Sequence, residues 1–314
     1  MTTPLQPDSD LPGSDFPGNE IEEQHFIEAA NSALNQRLVA PEVHPQSGGS
    51  AAATAIVLCT QSQQSAFIKI VGIEQYQQLA MEADGIAAIA NTQAIRTPKI
   101  LANGDFEEHS WLAMEALPLQ PLKSSSAALL GEHLAALHSP VELDYGWHSD
   151  GYLGASEQPN DEYENWIEFF RDQRLGYQLQ LAAGNGFDEL LDPGYELLTS
   201  LDALFTGYQP QPSLIHGDLW PGNAAQLADG TPVIFDPAAY YGDHEAELGM
   251  CELFGGFPKE FWQAYAANKP IDGGFKTRRY IYRLYHMLNH LNLFGERYLS
   301  EVQALLRRLL AEVR

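Results

Sequence analysis

Four polar residues at short offsets lie in the segment SLIHGDLWPGN (213–223) and in the segment PVIFD (232–236). The first segment contains His-x-Asp, with Asn223 five residues after Asp218, and the second ends at Asp236. The carboxylate of Asp218 can accept the proton of an attacking hydroxyl group and orient that hydroxyl. The side-chain oxygens of Asn223 and Asp236 are hard ligands of the kind that Mg²⁺ prefers. The pattern therefore predicts phosphoryl transfer to a hydroxyl, with Asp218 as the base.

The same order of residues occurs in the protein-kinase template, where a loop H-R-D-x-x-x-x-N precedes a metal-binding D-F-G. The offset between Asp218 and Asn223 equals the Asp-to-Asn offset of that template. Phosphoryl transfer requires an aligned acceptor and neutralised charge more than covalent chemistry. We therefore predict ATP and Mg²⁺ as cofactors, with Asn223 and Asp236 as the metal ligands. Trp220, inside the loop, is well placed to wall a sugar pocket.

A lysine inside an apolar run is the second chemical signal. The run SAFIKI places Lys69 on a strand, where an unpaired ammonium group costs desolvation energy. We predict Glu82, in the helical segment LAMEADGI, as its partner, with Asp84 as the second candidate. Such a pair would hold the phosphates of ATP.

Two backbone segments complete the predicted nucleotide site. Gly48 and Gly49, followed by Ser50, would let backbone amides approach phosphates closely, although no G-x-G-x-x-G is present. The segment WLAMEAL would link two lobes, and the backbone around Glu115 and Leu117 would meet the adenine ring.

The sequence predicts an α+β, two-lobed, protein-kinase-like fold to position these groups. After a flexible acidic tail (1–20) we expect a strand-rich nucleotide-binding lobe (21–117) and a helical catalytic and acceptor-binding lobe (118–314). A hinge is predicted near 114–118.

Hydrophobic periodicity and turn residues give the predicted elements. Helices are expected at 21–38, at 74–91, in the segment SSSAALLGEHLAALHS with serines suited to the N-cap, in NDEYENWIEFFRDQRLGYQLQLAAGNG, and at 275–314. Strands are expected at 55–58 and 66–70, on both sides of an Asn-Gly-Asp turn (103–105), and in a hairpin whose second strand ends at Asp236.

Composition narrows the class of protein further. The 314 residues carry 42 Asp and Glu against 17 Lys and Arg, a formal net charge of −25, which argues against a nucleic-acid or anionic-membrane binder. In a chain this acidic, a bound metal would also reduce the repulsion between the phosphates of ATP and the protein's negative charge. Two cysteines without a CxxC favour a reducing compartment. With no secretion signal and no apolar run of about 18 residues, we expect a cytoplasmic protein. Oligomeric state is left open.

Longer motifs resemble one family. HGDLWPGN followed by FDPAAYYGDHEAELGMCELFGGF is similar to the fructosamine/ketosamine-3-kinase family, a branch of the aminoglycoside phosphotransferase-like kinases. The segments FIK, MEADGI, WLAMEAL, EQPN, NWIEFFRDQRL and LYHMLNHLNLFG follow in that family's order. The resemblance covers about residues 21–300, and the Trp in the loop and the Tyr-Tyr-Gly-Asp run are its most specific parts.

The resemblance implies an ATP-dependent kinase that phosphorylates the sugar 3-hydroxyl of ketosamines, either small molecules or glycated proteins. In that family the phosphorylated adduct becomes unstable and leaves the amine, so the resemblance also implies a protein deglycation repair activity. Carried over by position, Asp218 resembles the base, Asn223 and Asp236 the metal ligands, and Lys69 with Glu82 the ATP-phosphate pair.

Other positions are carried over with less specific roles. Asp243 would brace the loop after the metal site. Asp150, Gln158 and Asn160 lie in a segment that resembles one near the acceptor site.

The sequence also departs from the family pattern. His244 replaces an arginine, and Glu247 stands where Asp is usual, so we expect a surface or bracing salt bridge to be lost without effect on catalysis. Ser50 stands where some relatives have a cysteine, which argues against a redox switch. Two alternatives stay open: a kinase for an aminoglycoside, choline or homoserine-like metabolite, and an inactive binding module of the same fold.

Overall fold

The computed structural model describes residues 21–46 and 52–314. The N-terminal part is a five-stranded antiparallel sheet with strand order β1-β2-β3-β5-β4. Its strands are β1 (Pro41–Pro45), β2 (Ala53–Cys59), β3 (Ser65–Gly72), β4 (Ile100–Phe106) and β5 (His109–Glu115), and its helices are α1 (Glu23–Ala33) and α2 (Tyr76–Thr92).

The two helices cover opposite faces of this sheet. Successive side chains of a strand point to opposite faces, and β3 follows this rule. Ile68 and Ile70 pack in a cluster with α1, whereas Val71 packs in a cluster with α2. Lys69 has the parity of Val71, so its side chain points to the α2 face.

The remainder of the chain is mostly helical. Its helices are α3 (Ser124–Leu137), α4 (Trp166–Phe169), a π-helical segment (Phe170–Gly176), α5 (Tyr177–Gly184), α6 (Leu191–Thr199), α7 (His244–Cys251), α8 (Lys259–Asn268), α9 (Phe275–Phe294) and α10 (Leu299–Val313). Short 3₁₀ turns lie at Ile73–Gln75, Asp188–Leu190, Leu201–Phe205, Pro221–Asn223 and Glu296–Tyr298.

Three two-stranded antiparallel ladders are set among these helices. They pair β6 (Gly151–Leu153) with β7 (Ser156–Gln158), β8 (Pro212–Ile215) with β11 (Tyr240–Asp243), and β9 (Ala224–Gln226) with β10 (Pro232–Ile234). The loop that carries His-x-Asp connects β8 to β9. In the described part of the chain, no helix is long and apolar enough to cross a membrane.

The predicted Asn-Gly-Asp turn is wrong. Gly104 lies inside β4 opposite Trp111, and the turn comes later, at Glu107, which has φ +49°. A Cβ at position 104 would lie 2.9 Å from the Trp111 ring, so the glycine accommodates an indole rather than a turn. Cross-strand packing of the aromatic ring decides the use of this glycine.

Several predicted boundaries also shift. The first helix ends at Ala33 rather than at 38, and α3 has no side-chain cap because its serines lie within the first turn, after Lys123. Strand β10 ends at Ile234, two residues before Asp236. The C-terminal helical region is divided at Gly295, which has φ +81°.

Candidate active site

Lys69 lies between two carboxylates. Its Nζ is 2.7 Å from Oε1 of Glu82 on α2 and 2.7 Å from Oδ1 of Asp236. Burial disfavours the ammonium charge, but the two carboxylates more than offset this and raise the pKa of Lys69. Burial raises the pKa of Glu82 to about 7, against the opposing effect of Lys69. These three residues, called the Lys69 triad below, join the sheet to the segment after β10.

A neutral histidine connects the His-x-Asp loop to the same segment. The backbone carbonyl of Phe235 lies 2.9 Å from Nε2 of His216, and the N–H of Asp218 donates to Nδ1 at 3.3 Å. Burial lowers the pKa of His216. The neutral ring with a proton on Nε2 satisfies both contacts, since Nε2–H donates and Nδ1 accepts.

The buried carboxylate of Glu247, on α7, holds the backbone of this loop. Its Oε2 accepts from the N–H groups of His216 and, at 3.3 Å, Gly217, while Oε1 accepts from the N–H of Leu219 at 3.3 Å. Burial raises the pKa of Glu247, and His216 together with the donated N–H groups opposes that shift. Glu247, one of the departures from the family pattern, is therefore buried beneath the loop and braces its backbone.

Asp218 is held in position by Asn223. The Nδ2 group of Asn223 donates to the backbone oxygen of Asp218 at 2.9 Å and to its Oδ2 at 3.1 Å. Burial raises the pKa of Asp218 well above the usual aspartate value, and the negative charges of Glu247 and Asp236 add to the shift. The loop therefore places several carboxylates close together with little positive charge of its own.

Asp236 has a left-handed backbone conformation, with φ +60°. Asp and Asn tolerate this region better than most residues with a side chain. The N–H of Phe235 donates to the backbone oxygen of Asn223 at 3.2 Å, so the two predicted metal ligands sit on neighbouring segments. Their oxygens and the excess negative charge around Asp218 fit a hard divalent cation such as Mg²⁺.

The predicted acceptor residues form a network of their own. Oδ1 of Asp150 accepts from the N–H of Asn160 at 2.9 Å, and Oδ1 of Asn160 accepts from Arg174 at 2.6 Å. Gln158 donates to the hydroxyl of Tyr285 at 3.1 Å. Asn160 and Gln158 are buried, so these contacts set the shape of the segment 150–160 from inside.

The predicted adenine segment leaves β5 at Glu115. The carboxylate of Glu115 pairs with Arg96 and accepts from the N–H of Lys99 at 3.3 Å. Partial burial opposes ionisation, but these partners hold its pKa below the usual value. The backbone oxygen of Leu117 accepts from the N–H of Leu119 at 2.9 Å. The predicted phosphate-contacting residues Gly48, Gly49 and Ser50 lie outside the described residues.

Trp220 stands at the partly exposed side of the loop. Its indole lies over Gly222, where an added Cβ would come within 2.2 Å of the ring. On another side its ring centroid is 5.4 Å from that of Phe254, in an edge-on arrangement. The loop therefore keeps an aromatic surface two residues from Asp218.

Asp243 braces α7, the helix that carries Glu247. Its Oδ1 accepts from the hydroxyl of Tyr208 at 2.8 Å and from the N–H of Glu245 at 3.0 Å, so it caps α7. Its Oδ2 accepts from Tyr282 at 2.6 Å.

Sequence reasoning named Glu247 and Asp84 but did not predict the contacts that they make. Glu247 was noted only as a departure from the family pattern, because a carboxylate that accepts hydrogen bonds from backbone amides has no characteristic sequence motif. Asp84 was considered for Lys69, but its Oδ2 accepts from Nε1 of Trp147 at 2.8 Å and lies 3.4 Å from Nε2 of His148. The signal available for Asp84 was its place on α2 two residues after Glu82.

Similar solved structures identify the class of fold. A structure from Haemophilus somnus described as a "Putative fructosamine-3-kinase" has a TM-score of 0.81 and 29% identity, covering 90% of this chain and 96% of that one. A thermostable mutant of the aminoglycoside phosphotransferase APH(4)-Ia has a TM-score of 0.57 at 14% identity, covering 92% and 98%, and shows the fold alone. The fold is that of the protein-kinase-like phosphotransferases, as the sequence predicted.

The sequence relatives identify the family. A family model described as fructosamine kinase matches residues 23–312, and the chain belongs to that family. A probable ketoamine kinase from Synechocystis sp. is 43% identical over 79% of this chain and 84% of its own length. A chloroplastic protein-ribulosamine 3-kinase of Oryza sativa subsp. indica is 39% identical over 77% and 71%.

Proposed function

We propose that this protein is an ATP-dependent ketosamine kinase that phosphorylates the sugar 3-hydroxyl of adducts such as fructosamines and ribulosamines. The observation that carries the proposal is the convergence of four predicted residues. Lys69 contacts Asp236, and the segment of Asp236 is hydrogen-bonded to Asn223, which holds Asp218. Family membership supplies the ketosamine as acceptor.

Asp218 would act on the acceptor. Its Oδ accepts the proton of the sugar hydroxyl while the hydroxyl oxygen forms a bond to the γ-phosphorus of ATP. The bond from that phosphorus to the β–γ bridging oxygen breaks, and ADP leaves with the electron pair. Asn223 keeps the carboxylate of Asp218 aimed through its contact at 3.1 Å.

Asn223 and Asp236 would hold Mg²⁺, which neutralises charge on the phosphates when it is bound. Lys69 would contribute a fixed positive charge at the phosphates, with Glu82 orienting it. Gly48, Gly49 and Ser50 would contact the phosphates, and the backbone of Glu115 and Leu117 the adenine ring.

The acceptor would lie between Trp220 and the segment 150–160, which Asp150, Gln158 and Asn160 shape. In this assignment residues 21–117 form the nucleotide lobe and residues 118–314 the catalytic and acceptor lobe. The free thiols of Cys59 and Cys251 fit work in the reducing cytoplasm, and the acceptors would include glycated lysines of proteins as well as free ketosamines.

The proposal is tested by a substrate panel. The protein is incubated with ATP, Mg²⁺ and free or protein-bound fructosamine, ribulosamine and erythrulosamine, and ADP and the phosphorylated adduct are measured. Aminoglycosides, choline and homoserine serve as acceptor controls, and the same sugars without the amine test whether the adduct is required. We expect turnover of ketosamines well above every control. Preferred turnover of a control acceptor would assign the other kinase class, and no turnover at all would indicate an inactive binding module.

A further inference from the structure

Helix α2 is attached to the chain segment that precedes Asp150. Oδ2 of Asp84 accepts from Nε1 of Trp147 at 2.8 Å and lies 3.4 Å from Nε2 of His148. One turn earlier on the helix, Sδ of Met81 is 3.1 Å from Oγ of Ser149. Three successive residues of one segment therefore contact one face of α2, and we call this set of contacts the α2 latch.

The latch holds the helix on both sides of Glu82. Met81 and Asp84 flank Glu82 in the sequence, and Glu82 contacts Lys69 at 2.7 Å. Gly85 packs on the segment after Asp236, where an added Cβ would be 3.0 Å from the Cβ of Ala239. A shift of α2 away from Trp147 would thus carry Glu82 away from Lys69.

The latch residues outside α2 are hydrogen-bonded into the predicted acceptor segment. The N–H of Trp147 donates to the backbone oxygen of Asn160 at 3.0 Å, and the N–H of Asn160 donates to Asp150 at 2.9 Å. The indole of Trp147 also packs on Tyr241, with ring centroids 5.2 Å apart. Trp147 is therefore fixed by its own neighbours and can serve as a rigid donor for Asp84.

We propose that Asp84 is a positioning residue that, through Trp147 and His148, holds α2 so that Glu82 keeps Lys69 aimed at the phosphates of the nucleotide. The inference deepens the proposed function, since it concerns the same nucleotide site. Asp84 touches neither Lys69 nor the reacting groups in this assignment, and its effect reaches the site only through Glu82.

Electrostatics alone would predict the opposite effect of removing Asp84. The nucleotide is an anion, so loss of a nearby negative charge should tighten its binding. If Asp84 acts by positioning, its loss should instead weaken binding. Trp147→Phe removes the N–H donor with part of the indole but keeps an aromatic ring on Tyr241, so it tests the latch without any change of charge.

The test is a double-mutant cycle on the dissociation constant of a Mg²⁺-bound, non-hydrolysable ATP analogue, measured by calorimetry on the full chain. We expect Asp84→Ala and Trp147→Phe each to raise that constant about tenfold, as befits loss of a charge-assisted hydrogen bond. In a Glu82→Gln background the same substitutions should have almost no further effect. Asp84→Asn, whose amide oxygen can still accept from Trp147, should retain most of the affinity.

Two controls separate positioning from general damage. Gln77→Ala, on an exposed part of α2, should leave the affinity unchanged, and melting temperatures are recorded for every variant. Losses of affinity that persist undiminished beside Glu82→Gln, or tighter binding in Asp84→Ala, would overturn the proposal. Because the readout is nucleotide binding, it is independent of which acceptor is used. A failed acceptor panel with an intact cycle would thus reject the ketosamine assignment alone.

Discussion

The Lys69 triad and the His-x-Asp loop differ in how their negative charge is compensated. In the triad, one ammonium group lies 2.7 Å from each of two carboxylates, so a cationic side chain offsets part of the negative charge within the protein. In the loop, the carboxylate of Glu247 accepts from backbone N–H groups and that of Asp218 accepts from the amide of Asn223, with no cationic side chain among these contacts. The triad therefore contains a cation of its own, whereas the loop would gain stability from a bound cation. We infer that Mg²⁺ binding together with the nucleotide would bring the missing positive charge.

Asp218→Asn should give the largest effect and tests the loop side of this comparison. The amide keeps the shape of the side chain but cannot accept the acceptor's proton, so kcat should fall ~10³-fold. The dissociation constant of the nucleotide should change little. Asp229→Asn, in the exposed β9–β10 turn, is the matched control. Near-normal turnover by Asp218→Asn would remove Asp218 from the role of base.

Lys69→Met tests the triad side. It removes the cation that lies between Glu82 and Asp236, so we expect kcat/KM for ATP to fall ~10²-fold. Leaving the mostly buried Glu82 unpaired should also lower the free energy of unfolding by about 3 kcal/mol. Chemical denaturation and steady-state kinetics measure the two effects.

The double variant Lys69→Met/Glu82→Gln separates charge balance from catalysis. It should regain most of the stability but none of the activity, because the more buried of the two unpaired carboxylates is gone while the cation is still missing. Equal stability of the single and double variants would show that Glu82 needs no compensation.

Glu247→Gln probes how the loop holds its backbone without a cation. One oxygen acceptor becomes an NH₂ group that faces backbone donors, so unfolding should become easier by about 2 kcal/mol and kcat should fall about tenfold. Glu252→Gln, just after α7, is the comparison, since Glu252 pairs with Arg279 at 2.9 Å and is partly exposed. A partly exposed pair of this kind contributes about 1 kcal/mol or less. Equal effects of the two substitutions would contradict a special role for Glu247.

The smallest expected effect is a pH shift that depends on Mg²⁺. Because the pKa of Asp218 is raised, kcat/KM should fall as the pH drops through that value. Saturating Mg²⁺ should move this acidic limb to lower pH by about one unit, since a nearby cation favours the carboxylate. Rate profiles at several Mg²⁺ concentrations measure the shift, and an acidic limb independent of Mg²⁺ would separate the metal from Asp218.

The same raised pKa has a consequence for stability in the absence of metal. The folded state then binds the proton of Asp218 more tightly than the unfolded state does. Its contribution to the free energy of unfolding is therefore full below the ordinary aspartate pKa and is lost as pH rises through the raised value. Urea unfolding of the protein and of Asp218→Asn across that interval isolates this contribution.

Local patterns were sufficient for the groups that lie on regular elements. The apolar run SAFIKI placed Lys69 on a strand, and the helical segment LAMEADGI offered Glu82 and Asp84 as partners; the structure pairs Glu82 with it. The spacing of the His-x-Asp loop indicated which side chains meet. The protein-kinase-like fold followed from the order of strands, helices and these motifs.

Contacts that depend on tertiary approach could not be predicted in this way. Glu247 accepts hydrogen bonds from backbone amides more than 25 residues earlier in the chain, and the residues next to it in the sequence do not indicate that contact. Gly104 has the sequence context of a turn but makes room for Trp111. The contact of Asp84 with Trp147, which belongs to another part of the fold, likewise had no signal in the sequence.

Gly217, between the histidine and the aspartate of the loop, has φ +81°, and an added Cβ would lie 2.1 Å from the backbone oxygen of Ala238. The protein-kinase template has arginine at this place. In kinases that are switched on by phosphorylation, arginines pair with the phosphorylated activation segment and order it. This chain has no room for a side chain at that position, so control through such an arginine is closed to it. Its rate would then follow the supply of acceptor and nucleotide.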